Sequence, residues 1–170
     1  FTTTNGVIYS IVAENLKLGV HIATPNYIKV NGELQKLPPN FIRSISNNRI
    51  NLKVPEFLDE NLARFFGYLL GEGWVKLKVK CAMVSFTNED CKLLEDFSSV
   101  LKLLGVNYTL RESHKGKSCK EIYCCSIEFA RFIALIEPTL LMWSRYKKIP
   151  NLIKKSPNYI KFLENSFICL

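Results

Sequence analysis

With 170 residues, the chain has room for one domain plus an appendage and for a real apolar core, so it has no need of a disulfide scaffold. A formal net charge of +8 and a pI near 9.2 favour a polyanionic partner, although a merely solvated basic surface carries the same charge. The most apolar stretch, Phe129 to Trp143, is broken by Arg131, Glu137 and Pro138, which excludes a membrane span there.

The cysteines are Cys81, Cys91, Cys119, Cys124, Cys125 and Cys169, and the only histidines are His21 and His114. Cys124 and Cys125 are adjacent and no zinc spacing occurs. No signal peptide accompanies them, so reduced, mostly buried thiols in an intracellular protein (cytoplasm or nucleus) are expected. In chain order, residues 1–30 read as a small β-rich segment. Residues 31–55, with Pro38-Pro39 and the polar run Ser44 to Asn48, read as a connector. Residues 56–170 carry the main domain.

Its first element is a helix. Leu62, Phe65, Phe66, Leu69 and Leu70 recur at i, i+3, i+4 spacing behind Asp59, a suitable N-cap. Ala63, Gly67 and Gly71 fall four apart on another face. Glycine inside a helix costs roughly 1 kcal/mol relative to alanine, and close approach of a second backbone is the usual compensation. Glu72 then stands at the helix end, among free carbonyls and the negative pole of the macrodipole, where a carboxylate is disfavoured. A bound cation reverses that sign, which marks Glu72 and the Gly71 carbonyl as a metal site.

Two strands follow. Lys76, Lys78 and Lys80 alternate with Leu77 and Val79, so the lysines share one face. From Ala82 to Thr87, Ala82, Val84 and Phe86 share one side, and Met83, Ser85 and Thr87 the other. A lysine-protected edge strand would show the same pattern. A helix opening at Asn88 or Glu89 and running to about Leu104 presents Cys91, Leu94, Phe97, Leu101 and Leu104, with Gly105 as its stop. Val106 to Glu112 reads as a strand with Val106, Tyr108 and Leu110 inward. A basic tip spans His114 to Ser118, Lys120 to Ser126 returns as a strand, and Ile127 to Ile136 is a short helix. The order is α-β-β-α-β-β-α, an α+β fold.

FFGYLLGEGW (Phe65 to Trp74) resembles the motif of LAGLIDADG (dodecapeptide, DOD-type) homing endonucleases in their intein-associated form. VSFTNED (Val84 to Asp90) and Ile149-Pro150 after Arg145, Lys147 and Lys148 are similar to the same group, over roughly residues 55–170. The resemblance implies a half-unit with a saddle-shaped antiparallel sheet, helices on one face and double-stranded DNA on the other. It implies Glu72 as the catalytic acid holding Mg2+, a nearby cation among Arg145, Lys147 and Lys148, of which Lys148 is the one expected unless the three form only a solvated basic turn, and Ala63, Gly67, Gly71 and Ser166 in the helix-pair interface. Phosphate contacts from lysines and arginines would supply most of the affinity. The DNA-face residues expected are Lys76, Lys78, Lys80, Arg111, Lys115, Lys117 and Lys120.

NLKLGVHIATP (Asn15 to Pro25) resembles the end of an intein splicing domain's first half. The chain starts at Phe1 and ends at Leu170, so splicing chemistry is not expected within it. YIKFLENSFICL, Tyr159 to Leu170, resembles an incomplete second motif helix over residues 158–170. In one register Asn165 replaces the motif glycine. In the other, Ser166 is the small residue, and sterics favour it. A second acid is expected from a homodimer partner, or from a second LAGLIDADG half in a continuation. A site-specific, Mg-dependent DNA endonuclease is the leading expectation. The alternatives are a degenerate module that binds DNA or intron RNA without cleavage, and a structural domain that touches no nucleic acid.

Overall fold

The computed structural model describes residues 2–4, 7–19, 21, 32–38, 52–112 and 118–157. The expectations for Lys115, Lys117, Ser166 and the second motif helix lie outside them. Near the N-terminus β1 (Thr2–Thr4) and β2 (Val7–Tyr9) pair antiparallel as a separate two-stranded sheet. No helix among the described residues is long and apolar enough to cross a membrane.

Helix α1 (Glu60–Gly71) starts where the sequence places its cap, with Asp59 Oδ1 accepting the Leu62 N–H at 2.7 Å. It ends on Glu72, whose N–H donates to the Tyr68 carbonyl. Strand β3 (Gly73–Lys78) doubles back at once, and this is why residue 73 has no side chain. A Cβ there would lie 2.5 Å from Leu69 Cα and 2.7 Å from Leu69 Cδ2.

β3 closes on β4 (Cys81–Asn88) with Lys78 opposite Cys81, so Val79 and Lys80 form the turn. Lys76 and Lys78 share a strand face as expected; Lys80 does not, because the hairpin turns one residue before it. Helix α2 (Cys91–Leu103) begins behind Asp90, which accepts the Lys92 N–H at 2.8 Å. Its start is later than expected. Cys91 is therefore the first helical residue and stays exposed, whereas Leu94, Phe97, Leu101 and Leu104 are buried. Gly105 stops the helix at φ +70°. Its N–H reaches the Lys102 carbonyl and that of Val106 reaches Leu101, the paired closure a left-handed residue permits.

That closure uses Val106, so β5 (Thr109–Glu112) starts three residues later than the pattern suggests. Leu110 has the inward register, opposite Ile122, yet is 53% exposed, because β5 is an edge strand beyond the cover of the helices. β6 (Lys120–Cys124) ends early, since Ser126 is taken as the cap of α3 (Ile127–Ile136), its Oγ accepting the Phe129 N–H at 3.1 Å. Two 3-10 turns, Pro138–Leu141 and Ser144–Tyr146, lead to α4 (Asn151–Lys155).

The four-stranded sheet has the order β3-β4-β6-β5, antiparallel throughout. Helices cover one face. Phe65, Phe97, Phe129 and Phe132, all fully buried, form the centre of the core with Val84, Phe86 and Ile122 from the sheet. Tyr68 donates to Asp96 Oδ2 at 2.5 Å and fastens α1 to α2. Part of the expected connector is a strap on this body. The Glu33 N–H bonds the Lys155 carbonyl, the Leu37 N–H bonds the Glu56 carbonyl, and Leu37 is buried.

Candidate functional site

The end of α1 carries the site. Ala63 and Gly67 are buried, whereas at Gly71 no atom of the described residues lies within 4 Å of where its Cβ would be. Glu72 is exposed, and its Oε2 accepts one long hydrogen bond from Asn88 Nδ2 (3.4 Å). Asn88 is itself oriented by β4 and by the Asp90 N–H, which donates to its Oδ1 at 2.8 Å. The carboxylate thus stands at the negative end of the helix with no cationic side chain bonded to it among the described residues.

A cation does reach the helix end. Lys147 Nζ donates to the carbonyls of Leu69 and Gly73, both at 2.6 Å. Half-burial desolvates the ammonium and pushes its pKa below the usual lysine range. Lys148, the residue expected from the sequence, is exposed and does not line the cleft; its backbone N–H donates to Thr139 Oγ1. Extended backbone at Lys147 (φ −65°, ψ 142°) turns neighbouring side chains to opposite sides, so only one of the two can point at α1.

Glu72, Asn88, Glu89, Asp90, Cys119 and Lys147 line a cleft of about 1140 Å³, together with Trp74 and the largely exposed Trp143. Ser118 Oγ and Cys119 Sγ both donate to Glu89 Oε1, at 2.8 and 3.3 Å. These bonds hold the Glu89 carboxyl below the usual range and push the Cys119 thiol up. Among the described residues, no group of three or more His, Cys, Asp or Glu side chains is arranged to hold a metal ion.

Strand parity defines the uncovered sheet face. It carries Trp74, Lys76 and Lys78 from β3, Met83, Ser85 and Thr87 from β4, Glu121 and Tyr123 from β6, and Thr109 and Arg111 from β5. The Lys76 ammonium lies 5.9 Å from the centre of the Trp74 ring. Arg111 Nε donates to Glu121 Oε2 at 2.8 Å, and its guanidinium lies 4.5 Å from the Tyr123 ring centre. Lys120 shares the parity of Ile122 and Cys124, so it belongs to the helix side of the sheet, at its end, rather than to this face.

Sequence reasoning passed over Trp74, Asn88, Glu121 and Tyr123 as site residues, and it named Lys147 only beside Arg145 and Lys148 before settling on Lys148. Continuing the alternation backwards from Lys76 reaches Trp74, and counting from Ile122 reaches Glu121 and Tyr123. Asn88 and Lys147 join the site across long sequence distances and leave no local signal.

Residues 59–137, from the N-cap of α1 to the C-cap of α3, match the family model of the LAGLIDADG-like domain. The chain is similar to the A-type ATP synthase A subunit of Pyrococcus horikoshii, 33% identical over 113 residues, which is 66% of this chain and 10% of that protein. It is also similar to the replication factor C small subunit of Methanocaldococcus jannaschii, 30% identical over 130 residues (76% of this chain, 6% of that protein). With the A-type ATP synthase A subunit of Pyrococcus abyssi it shares 27% identity over 169 residues, 98% of this chain and 16% of that protein. The chain therefore spans only a small part of each of these relatives. Matched span, α-β-β-α-β-β-α order, four-stranded antiparallel sheet and glycine-acid helix tip coincide: residues 59–137 match the LAGLIDADG-like domain in sequence and have the fold of a LAGLIDADG half-unit.

Proposed function

We propose that this chain is the endonuclease portion of an intein, a site-specific enzyme that hydrolyses both strands of a DNA duplex with the help of Mg2+. The observation that carries this reading is Glu72, an exposed carboxylate at the end of α1. Lys147 is bonded to the same helix end, and the uncovered sheet face next to it bears Lys76 and Lys78. The relatives support the intein setting. One short segment is common to ATP synthase and replication factor proteins and makes up a minor share of each. A sequence common to proteins of such different names is what an insert produces, whatever its host.

Nucleases of this family typically use a divalent metal. The Glu72 carboxylate and the Gly71 carbonyl are hard oxygen donors of the kind Mg2+ takes. Lys147 already sits on neighbouring carbonyls, so this helix end attracts positive charge. One carboxylate is half of a site, so a second is required from a second motif helix or a second copy. When bound, the metal supplies an activated water and neutralises charge on the phosphate. The chain's own part is to fix the acid at the tip of a rigid helix, to offer Lys147 as the adjacent cation, and to seat the duplex on β3–β6.

The test is cleavage of a supercoiled plasmid that carries the coding sequence flanking this segment, rejoined without it. The wild-type chain is expected to linearise the plasmid with Mg2+ and not with EDTA. Glu72→Gln should slow cutting by at least about 100-fold, the scale of losing one electrostatic stabiliser, while its retention on DNA and its melting temperature stay unchanged. Binding without cutting by the wild type would replace this reading with the degenerate DNA- or RNA-binding module. That module is favoured by the single acid among the described residues of the motif. Indifference to heparin and to salt would leave a structural domain.

A further inference from the structure

Glu121 is out of place on a face meant for a polyanion. It is 8% exposed, lies on the uncovered sheet face near the start of the inner strand β6, and is ion-paired to Arg111 on the neighbouring strand. As a pair the two are close to neutral, so they add little to phosphate attraction or counterion release. What the pair does provide is direction. Glu121 takes only Nε of the guanidinium, and Tyr123 lies against it at 4.5 Å. Among the described residues, Nη1 and Nη2 have no hydrogen-bond partner. Two parallel donors, fixed in orientation and presented on an edge strand of the sheet, match the two acceptors of guanine, O6 and N7, in the major groove. A flexible lysine offers charge without that fork.

Resting on the DNA-binding reading above, we propose that Arg111 is a guanine-reading residue, specifying one base pair of the target, and that Glu121 is its positioning residue. The carboxylate is too buried to accept from a base itself. Its part is to aim the arginine, with the Tyr123 ring as a platform.

The experiment is selection from a randomised double-stranded DNA library with the full chain, its wild-type form compared with Arg111→Lys and Glu121→Gln. The wild type is expected to enrich a site with guanine strongly preferred at one position. Arg111→Lys keeps the charge and loses the fork, and should lower that preference by roughly 5- to 100-fold while the other positions and the salt slope stay unchanged. Glu121→Gln should weaken the same single preference and raise affinity for arbitrary DNA, since a negative charge leaves the face. A structural role alone would not confine the effect to one base pair, and thermal melts of both variants verify folding. If both folded variants keep the same guanine preference, the inference is overturned and the DNA reading stands. A uniform loss of affinity with a shallower salt slope would make Arg111 a phosphate contact and overturn it equally. If the wild type enriches no site and binds no DNA, the reading beneath it falls as well.

Discussion

Replacing Lys147 with methionine removes one ammonium and keeps the length and apolar packing of the stem. The ammonium makes two bonds of 2.6 Å, to the Leu69 carbonyl in the last turn of α1 and to the Gly73 carbonyl at the start of β3. Leu69 is among the last four residues of the helix, whose carbonyls no intrahelical N–H reaches. Hydrogen bonds from charged donors contribute about 1.5–3 kcal/mol each, and desolvation of the half-buried amine offsets part of the sum. A net loss of about 2–3 kcal/mol is therefore expected, lowering Tm by roughly 5–10 °C for a chain of this size. The assay is urea unfolding with an unchanged m-value, using Lys148→Met as the control. Lys148 is exposed, and its loss should change stability by no more than about 0.5 kcal/mol. The pH dependence carries a second signature. Burial lowers the Lys147 pKa below its unfolded value. Between the two the unfolded chain binds more protons, so this residue's contribution to stability rises as the pH climbs towards the ordinary lysine value of 10.5. That rise should vanish in Lys147→Met. Equal stabilities for the two methionine variants would refute the helix-end clamp.

Further outcomes are expected elsewhere. Gly73→Ala forces a Cβ to within 2.5 Å of Leu69 Cα and should cost about 1–3 kcal/mol by thermal melting. Gly71→Ala meets nothing among the described residues and should gain a few tenths of a kcal/mol. If it nevertheless abolishes cleavage, a second helix packs on that position in the active assembly. Phe97→Ala empties a fully buried position between Phe65, Tyr68 and Phe86, whose ring centres lie 4.8–5.7 Å from its own, and should cost about 3–5 kcal/mol in denaturant unfolding. Burial pushes the Cys124 thiol up to about 12, so iodoacetamide at mildly alkaline pH should spare it in the folded protein. Exposed Cys81, Cys91 and Cys125 should react under the same conditions.

The sequence by itself determined the elements and their order, because these rest on local physics. Apolar spacing at Leu62, Phe65, Phe66 and Leu69, the caps Asp59 and Gly105, and the alternation from Ala82 to Thr87 each act within a few residues. It also put Glu72 at the helix end, since both the helix period and the glycine-acid motif are contiguous. What only the tertiary structure decided is where separate segments meet. Pattern could not choose between Lys147 and Lys148, because the choice depends on how the 3-10 turn at residues 144–146 delivers the chain to a helix end 78 residues away in sequence. Nor could it place Lys80 in a turn, expose Leu110 at a sheet edge, or pair Arg111 with Glu121. Strand register and sheet order set those positions, and both arise from pairing across the chain rather than along it.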